Sequence, residues 1–210
     1  MTWLRQYRWM LAGLLMLVSA PLYASFAELE APQENEGAWS IEALQETDSA
    51  AYFQALRSSQ AMLFRTLGWG WPTGKLTLET NLDTMRFYVE QRESRRSYSY
   101  VVRERQSRRL HGAVFINPVQ NRLGIEGFRA ADFDIEVTYW LDQTAQDSPI
   151  SDEFIGQLTN WLRAEWGVNN VLFPVAQTNH YARQQLEQAN LRYLSSDANN
   201  QELLYRFDAR

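Results

Sequence analysis

The sequence contains no cysteine and only two histidines, His111 and His180, among its 210 residues. The absence of cysteine excludes a disulfide-stapled scaffold, a thiolate-ligated zinc or iron–sulfur site, a thiol nucleophile and the acylated cysteine of a lipoprotein anchor. Two histidines do not favour a metal site built from several imidazoles. The formal net charge of −5 argues against a general nucleic-acid-binding surface. We therefore expect no metal site and no nucleic-acid partner.

Aromatic residues, by contrast, are plentiful. Phe, Trp and Tyr make up 13% of the chain, and eight residues are Trp. This content is too high for a disordered chain, and 210 residues suit one domain, with or without a removable segment. The composition predicts an α/β or α+β domain. Its chemistry would come from Asp, Glu, Ser and Tyr side chains and from backbone groups.

Residues 1–24 have the pattern of a secretory signal. Arg5 and Arg8 form a positively charged start, an apolar run covers 9–18, and a small-residue exit ends at Ala24. The run is shorter than the ~20 residues that a membrane span needs, so the sequence favours cleavage and export to the periplasm or beyond. Two alternatives stay open. The segment could be an uncleaved anchor, the protein's one membrane contact, or translation could start later and leave the protein in the cytoplasm.

The next segment, 25–38, is acidic and has no apolar period, which predicts a solvated linker before a domain at 39–210. Within the domain, apolar residues recur at helical spacing in some stretches and alternate in others. The predicted helices cover 48–67, 82–89, 149–166 and 179–189. The predicted strands cover 39–44, 97–102, 110–119, 133–141, 170–176, 191–194 and 202–207. Pro174 lies inside a predicted strand, which indicates a bulge or an edge without a partner there.

Three stretches in this order resemble the GNAT (Gcn5-related N-acetyltransferase) family. Residues 134–141, Asp-Ile-Glu-Val-Thr-Tyr-Trp-Leu, are similar to its fourth strand, and 166–172 to a helix end and the fifth strand. Residues 179–191 resemble the helix that begins with Asn in the family. The resemblance covers about 39–207 and is greatest to the ribosomal-protein and small-molecule N-acetyltransferases. It implies a mixed, mostly antiparallel sheet, splayed between strands four and five, with helices on both faces.

The resemblance also implies an activity and a site. The activity would be transfer of an acetyl group from acetyl-CoA, held between strands four and five, to the amine of a small molecule or a protein N-terminus, and a homodimer is possible. Glu136 would be the catalytic base, although a strand carboxylate in solvent or an arginine partner is the first interpretation from the residues alone. The implied cofactor contacts are Tyr139, Trp140, Leu141, Gln146, Ile150, Ser151, Asp152 and Asn179. Trp69 and Trp71 would line the acceptor pocket, or else cover the core.

One loop departs from the family pattern. Pro149 stands where the family has Gly, Ser151 where it has Gly or Ala, and Asp147 adds negative charge beside the expected diphosphate. The same residues also form a good helix start, with Ser148 as N-cap and Pro149 as first residue. Either coenzyme binding is lost, or the remaining amides of 150–152 suffice. The alternative function is therefore an exported, catalytically inactive GNAT-fold protein that binds a partner in the cell envelope.

Overall fold

A mixed sheet organises the protein. The computed structural model describes residues 26–67, 72, 75–122, 124–125, 127–197 and 201–209. Within them the strands are β1 Glu34–Glu36, β2 Trp39–Ala43, β3 Tyr98–Glu104, β4 Leu110–Asn117, β5 Ile135–Leu141, β6 Asn170–Ala176, β7 Arg192–Ser196 and β8 Glu202–Asp208. The α-helices are α1 Ser49–Ser58, α2 Gln60–Thr66, α3 Leu78–Glu93, α4 Gln143–Gln146, α5 Glu153–Glu165 and α6 His180–Gln188.

The strand order across the sheet is β1-β2-β3-β4-β5-β6-β8-β7. Neighbouring strands are antiparallel except for the central pair β5 and β6, which is parallel. The side chains of β5 alternate between the two faces. Val137 and Tyr139 pack in the cluster that contains α5 and α6, whereas Trp140 packs in the cluster that contains α1 and α3. The predicted mixed sheet with helices on both faces is thus confirmed.

Two predicted helices differ from the structure. The helix expected over 48–67 is interrupted at Ser59, whose buried hydroxyl accepts a hydrogen bond from the backbone N–H of Gln143 (2.9 Å). The helix expected from Pro149 begins only at Glu153. Residues 148–152 form turns instead, because the Ser151 N–H bonds back to the carbonyl three residues earlier (3.0 Å). Ser148 is therefore not the N-cap of α5.

Residues 26–38 pack against the sheet, so the interpretation as a solvated linker is wrong for them. The ring of Phe26 lies 5.4 Å from that of Tyr98, and β1 pairs antiparallel with β2. The hydroxyl of Tyr100 donates to the carbonyl of Pro32 (2.8 Å). The sequence pattern missed this segment because a short edge strand is held mostly by backbone hydrogen bonds, which leave no apolar period.

Most arginines of the basic stretch between 92 and 109 are paired with protein groups. Arg103 binds Asp48 (2.5 Å), and Arg108 binds Glu42 (2.7 Å). These pairs join β3 and its hairpin to β2 and the start of α1. They support a structural role for the stretch rather than an anionic partner. In the described part of the chain, no helix is both long and apolar enough to cross a membrane.

One buried and one half-buried tyrosine, Tyr100 and Tyr88, predict how stability depends on alkaline pH. Burial raises the pKa of Tyr88 and of Tyr100 to about 12, above the ordinary value of 10.0. Both hydroxyls therefore stay protonated in the folded state at a pH where the unfolded chain releases the protons. Stability should be unaffected by these groups below pH 10 and should fall between pH ~10 and ~12.

The measurement is the melting temperature from pH 8 to 12, with tyrosine ionisation followed at 295 nm. Tyr88→Phe and Tyr100→Phe should each flatten the alkaline decline. Identical declines in the wild type and in both variants would contradict the assignment.

Candidate active site

The central parallel strands separate shortly after they meet. β5 and β6 pair only at Ile135 with Val171 and at Glu136 with Leu172. Beyond these two rungs β5 stays paired with β4, and β6 with β8, but they do not pair with each other. Pro174 lies in the unpaired part of β6, as expected of a residue that cannot donate a backbone hydrogen bond. The predicted splay is thus present, and Pro174 marks it in the sequence.

The gap between the strands opens into a cleft. Thr138 and Tyr139 of β5, Leu67 at the end of α2 and Pro174 of β6 line the gap, which contains only about 10 Å³ of free space. The adjoining cleft measures about 520 Å³. Its lining includes three acidic side chains and one basic one: Glu136, Asp197, Glu202 and Arg65. Glu136 and Glu202 are both paired with Arg122, so the described lining of the cleft is only weakly acidic.

Glu136 lies at the last rung before the strands separate, and it is only 7% exposed. Its Oε2 atom accepts hydrogen bonds from the guanidinium of Arg122 (2.9 Å) and from the backbone N–H of Gln120 (3.2 Å). In the part of the chain that the structure describes, no donor is bonded to its Oε1 atom. Glu136 is thus an arginine partner, and it also keeps one oxygen available in the cleft.

Arg122 binds two carboxylates at once. Besides Glu136, it bonds Glu202 of β8 through Nε (2.6 Å), and its side chain is 12% exposed. Burial alone would lower the pKa of this guanidinium, but the hydrogen bonds to the two carboxylates raise the pKa above its ordinary value. Arg122 therefore connects β5 to β8 where the gap begins. Sequence reasoning missed it, because it occupies a polar connection without a recognisable pattern.

The loop after β5 is held by a buried carboxylate. Asp142 is fully buried, and its Oδ1 accepts from the backbone N–H of Ala145 (2.8 Å) and binds Nδ1 of His111 (3.0 Å). Gln146, expected to contact the cofactor, donates to the carbonyl of Leu141 (2.9 Å). These bonds cap α4 and close the turn. In this structure Gln146 and His111 stabilise the loop.

The remaining predicted contacts are distributed over several environments. Tyr139 and Asn179 both line the gap, and the Asn179 side chain also caps α6 by accepting from the Ala182 N–H (3.0 Å). The side chains of Trp140 and Leu141 lie in the two cores on opposite faces. The structure brings Glu136, Tyr139 and Asn179 together around the gap and its cleft. Trp69 and Trp71 lie outside the described residues.

Ile150, Ser151 and Asp152 lie in the turns before α5. The carbonyl of Ile150 accepts from the indole N–H of Trp39 (3.1 Å). Asp152 accepts from the side-chain amide of Gln185 in α6 (2.8 Å). Tyr181 of α6 does not line the cleft, and burial raises its pKa to about 12. The described lining of the cleft contains no tyrosine.

A family model for the acetyltransferase (GNAT) domain matches residues 40–192. The chain belongs to the GNAT acetyltransferase family. This membership and the observed sheet confirm the resemblance and the fold drawn from the sequence. No curated protein sequence matches the chain.

Solved structures of ribosomal-protein acetyltransferases have the same fold. The ribosomal-protein-S5-alanine acetyltransferase of Vibrio fischeri has a TM-score of 0.63 at 13% identity, covering 84% of this chain and 96% of its own. RimL, a ribosomal L7/L12 α-N-protein acetyltransferase in complex with coenzyme A, has a TM-score of 0.65 at 13% identity with the same coverage. RimJ of Mycobacterium smegmatis, with a coenzyme A disulfide, has 0.62 at 12% identity, covering 86% of this chain and 87% of its own.

Proposed function

We propose that this GNAT-family protein transfers an acetyl group from acetyl-CoA to the amine of a protein N-terminus or a small molecule. The observation that carries the proposal is the carboxylate of Glu136, which stands in a cleft where β5 and β6 separate. The fold neighbours that act on the N-terminus of ribosomal protein L7/L12 support the amine acceptor.

The arrangement around Glu136 suits proton transfer from an amine. Acetyl transfer needs an amine free of its extra proton and a polarised thioester carbonyl. In our proposal the available Oε1 of Glu136 takes the proton, directly or through a water, as the amine nitrogen bonds to the acetyl carbon. The C–S bond of the thioester then breaks, and the leaving thiolate takes up a proton from solvent. Asp197 and Glu202 add acidic groups to the same cleft, which favours a cationic ammonium on entry.

The unpaired edge of β5 supports binding of the donor's pantetheine arm. Beyond Glu136 the backbone groups of β5 have no strand partner on the β6 side, and a chain of amides could pair with them. Asn179 lines the same gap. Because only about 10 Å³ is free there, side chains that line the gap must move to admit the arm.

Replacing Glu136 should test the proposed base. We expect Glu136→Gln to lower kcat/KM for acetylation by roughly 100-fold or more, since a positioned general base contributes about 10²–10⁴. Glu202→Gln is the matched control, because it removes the other carboxylate bound to Arg122 and leaves the base in place. Glu202→Gln should change kcat/KM less than tenfold. Equal losses in the two variants would contradict the role of Glu136.

Calorimetric titration of acetyl-CoA and CoA into the purified protein tests the function itself, followed by acetylation of a panel of amines and peptides. Micromolar binding with transfer to an amine supports the proposal. No binding at millimolar ligand and no transfer would overturn it, and the GNAT fold would then serve a role without catalysis.

We also propose that the protein is exported and that residues 1–24 are removed, which requires that an acyl donor be supplied outside the cytoplasm. The basic start and the short apolar run support this. N-terminal sequencing of protein from the periplasmic fraction should read Ser25 first. An intact Met1 in that fraction would indicate an anchor, and recovery from the cytoplasm alone would overturn export.

A further inference from the structure

The start of α5 is the natural place for an anion in this fold. β5 leads through α4 and the turns at 147–152 into α5, beside the unpaired gap. A helix start normally offers several backbone N–H groups without acceptors, together with the positive end of the helix dipole. A donor that lies along β5 would bring its diphosphate to this point.

In this chain the amides of that segment are already used. The N–H of Ile150 donates to the Ser148 hydroxyl (3.4 Å), and that of Ser151 to the Ser148 carbonyl (3.0 Å). The N–H groups of Glu153 and Phe154 donate to carbonyls three residues earlier, at 3.1 and 3.2 Å. Pro149 has no N–H. In the fully described stretch 148–154, only the amide of Asp152 has no acceptor.

The charge of the segment also disfavours a diphosphate. Residues 142–162 contain four acidic side chains and no basic one. The carboxylate of Asp147 accepts a hydrogen bond from the side-chain amide of Gln143 in α4 (3.0 Å), and that of Asp152 accepts one from Gln185 in α6 (2.8 Å). The bond to Gln185 also joins the start of α5 to α6 across the path that a diphosphate would take. The residues present therefore do not fit the diphosphate, although the unpaired backbone of β5 offers hydrogen-bonding groups to an amide-bearing arm.

We infer that the acyl donor is recognised through its thioester and pantetheine arm alone, with no contribution from the diphosphate. The donor class is then acyl-pantetheine thioesters, with or without a nucleotide attached. This inference rests on the proposed function and narrows its donor. A charged hydrogen bond to phosphate usually strengthens binding by roughly tenfold or more. A working diphosphate site would therefore give a donor that carries the nucleotide a much lower Kd than the same donor without it.

The test compares ligands that differ only in the nucleotide. CoA, pantetheine and adenosine 3′,5′-bisphosphate are titrated into the purified protein, and acetyl-CoA and S-acetylpantetheine are compared as donors. We expect the Kd values of CoA and pantetheine to agree within about threefold, and kcat/KM for the two donors within about tenfold. Adenosine 3′,5′-bisphosphate should neither bind at millimolar concentration nor compete with CoA.

Two outcomes would overturn the inference in distinguishable ways. Binding of CoA at least 100-fold tighter than pantetheine, with acetyl-CoA still used as donor, would show a working diphosphate site and leave the proposed function intact. Absence of binding and transfer with every ligand would remove the proposed function together with the inference.

A triple variant with glycine at the three positions where this loop departs from the family pattern provides the matched control. In Asp147→Gly/Pro149→Gly/Ser151→Gly one acid is removed, one N–H is added and the turn is freed to reopen. The variant should bind CoA at least tenfold tighter and pantetheine unchanged, provided that its melting temperature shows a folded protein. An equal gain for both ligands would contradict the inference. Asp152→Asn, which removes charge and keeps the turn, should give less than a threefold gain for CoA.

Discussion

Gly112→Ala should lower the free energy of unfolding by about 3 kcal/mol or more, because the new methyl group has no space. A Cβ atom at this position would lie 2.1 Å from the carbonyl oxygen of Trp140 and 2.9 Å from a methyl carbon of Leu141. Gly112 pairs with Leu141 across β4 and β5, so the clash is with backbone, which cannot rotate away. The two strands would have to separate just before the loop that Asp142 holds.

Gly156→Ala is the matched control for this substitution. Gly156 lies inside α5, and a Cβ atom there would meet nothing within 4 Å. Alanine should therefore stabilise the protein by about 0.5–1 kcal/mol through helix propensity. Urea unfolding followed by tryptophan fluorescence measures both variants. If Gly112→Ala unfolded at the same urea concentration as Gly156→Ala, the result would contradict the close approach of the β4 and β5 backbones at Gly112.

Arg122→Met should cost about 3 kcal/mol of stability, because it leaves the buried carboxylate of Glu136 and the half-buried one of Glu202 without a cation. Removing one partner of a buried pair is expensive because the remaining charge is left in a poorly solvated place. In the same background Glu136→Gln should recover part of the loss, since it removes the uncompensated charge.

An exposed arginine provides the comparison. Arg86 bonds Glu46 and Asp83, but its side chain is 56% exposed. Arg86→Met should change the free energy of unfolding by less than about 1 kcal/mol. Thermal and urea unfolding of Arg122→Met, Arg122→Met/Glu136→Gln and Arg86→Met measure these differences. Similar losses of unfolding free energy for Arg122→Met and Arg86→Met would contradict the role of Arg122 in neutralising Glu136 and Glu202. No gain of stability in the double variant over Arg122→Met would also contradict it.

Those parts of the fold that depend on local patterns could be predicted from the sequence. The alternation of β5 placed Val137 and Tyr139 on one face and Glu136 on the other, as observed. Pro174 indicated an unpaired edge, which is the β6 side of the gap. These features depend on residues that are neighbours along one strand or helix, so they can be predicted without knowledge of the tertiary structure.

Features that depend on distant residues could not be predicted in the same way. Arg122 meets Glu136 and Glu202, which lie 14 and 80 residues away. No spacing rule connects residues that the topology brings together.

The central seam of the sheet also affects how the molecule fluctuates. Only two rungs join the sub-sheet β1 to β5 to the sub-sheet β6 to β8, whereas the side-chain core beneath them is continuous. The seam can widen beyond Glu136 without breaking a hydrogen bond between β5 and β6. Its resistance to opening therefore comes from apolar packing, which weakens on cooling, rather than from the backbone ladder. Amide hydrogens on the two sides should consequently exchange with solvent as two separate cooperative units.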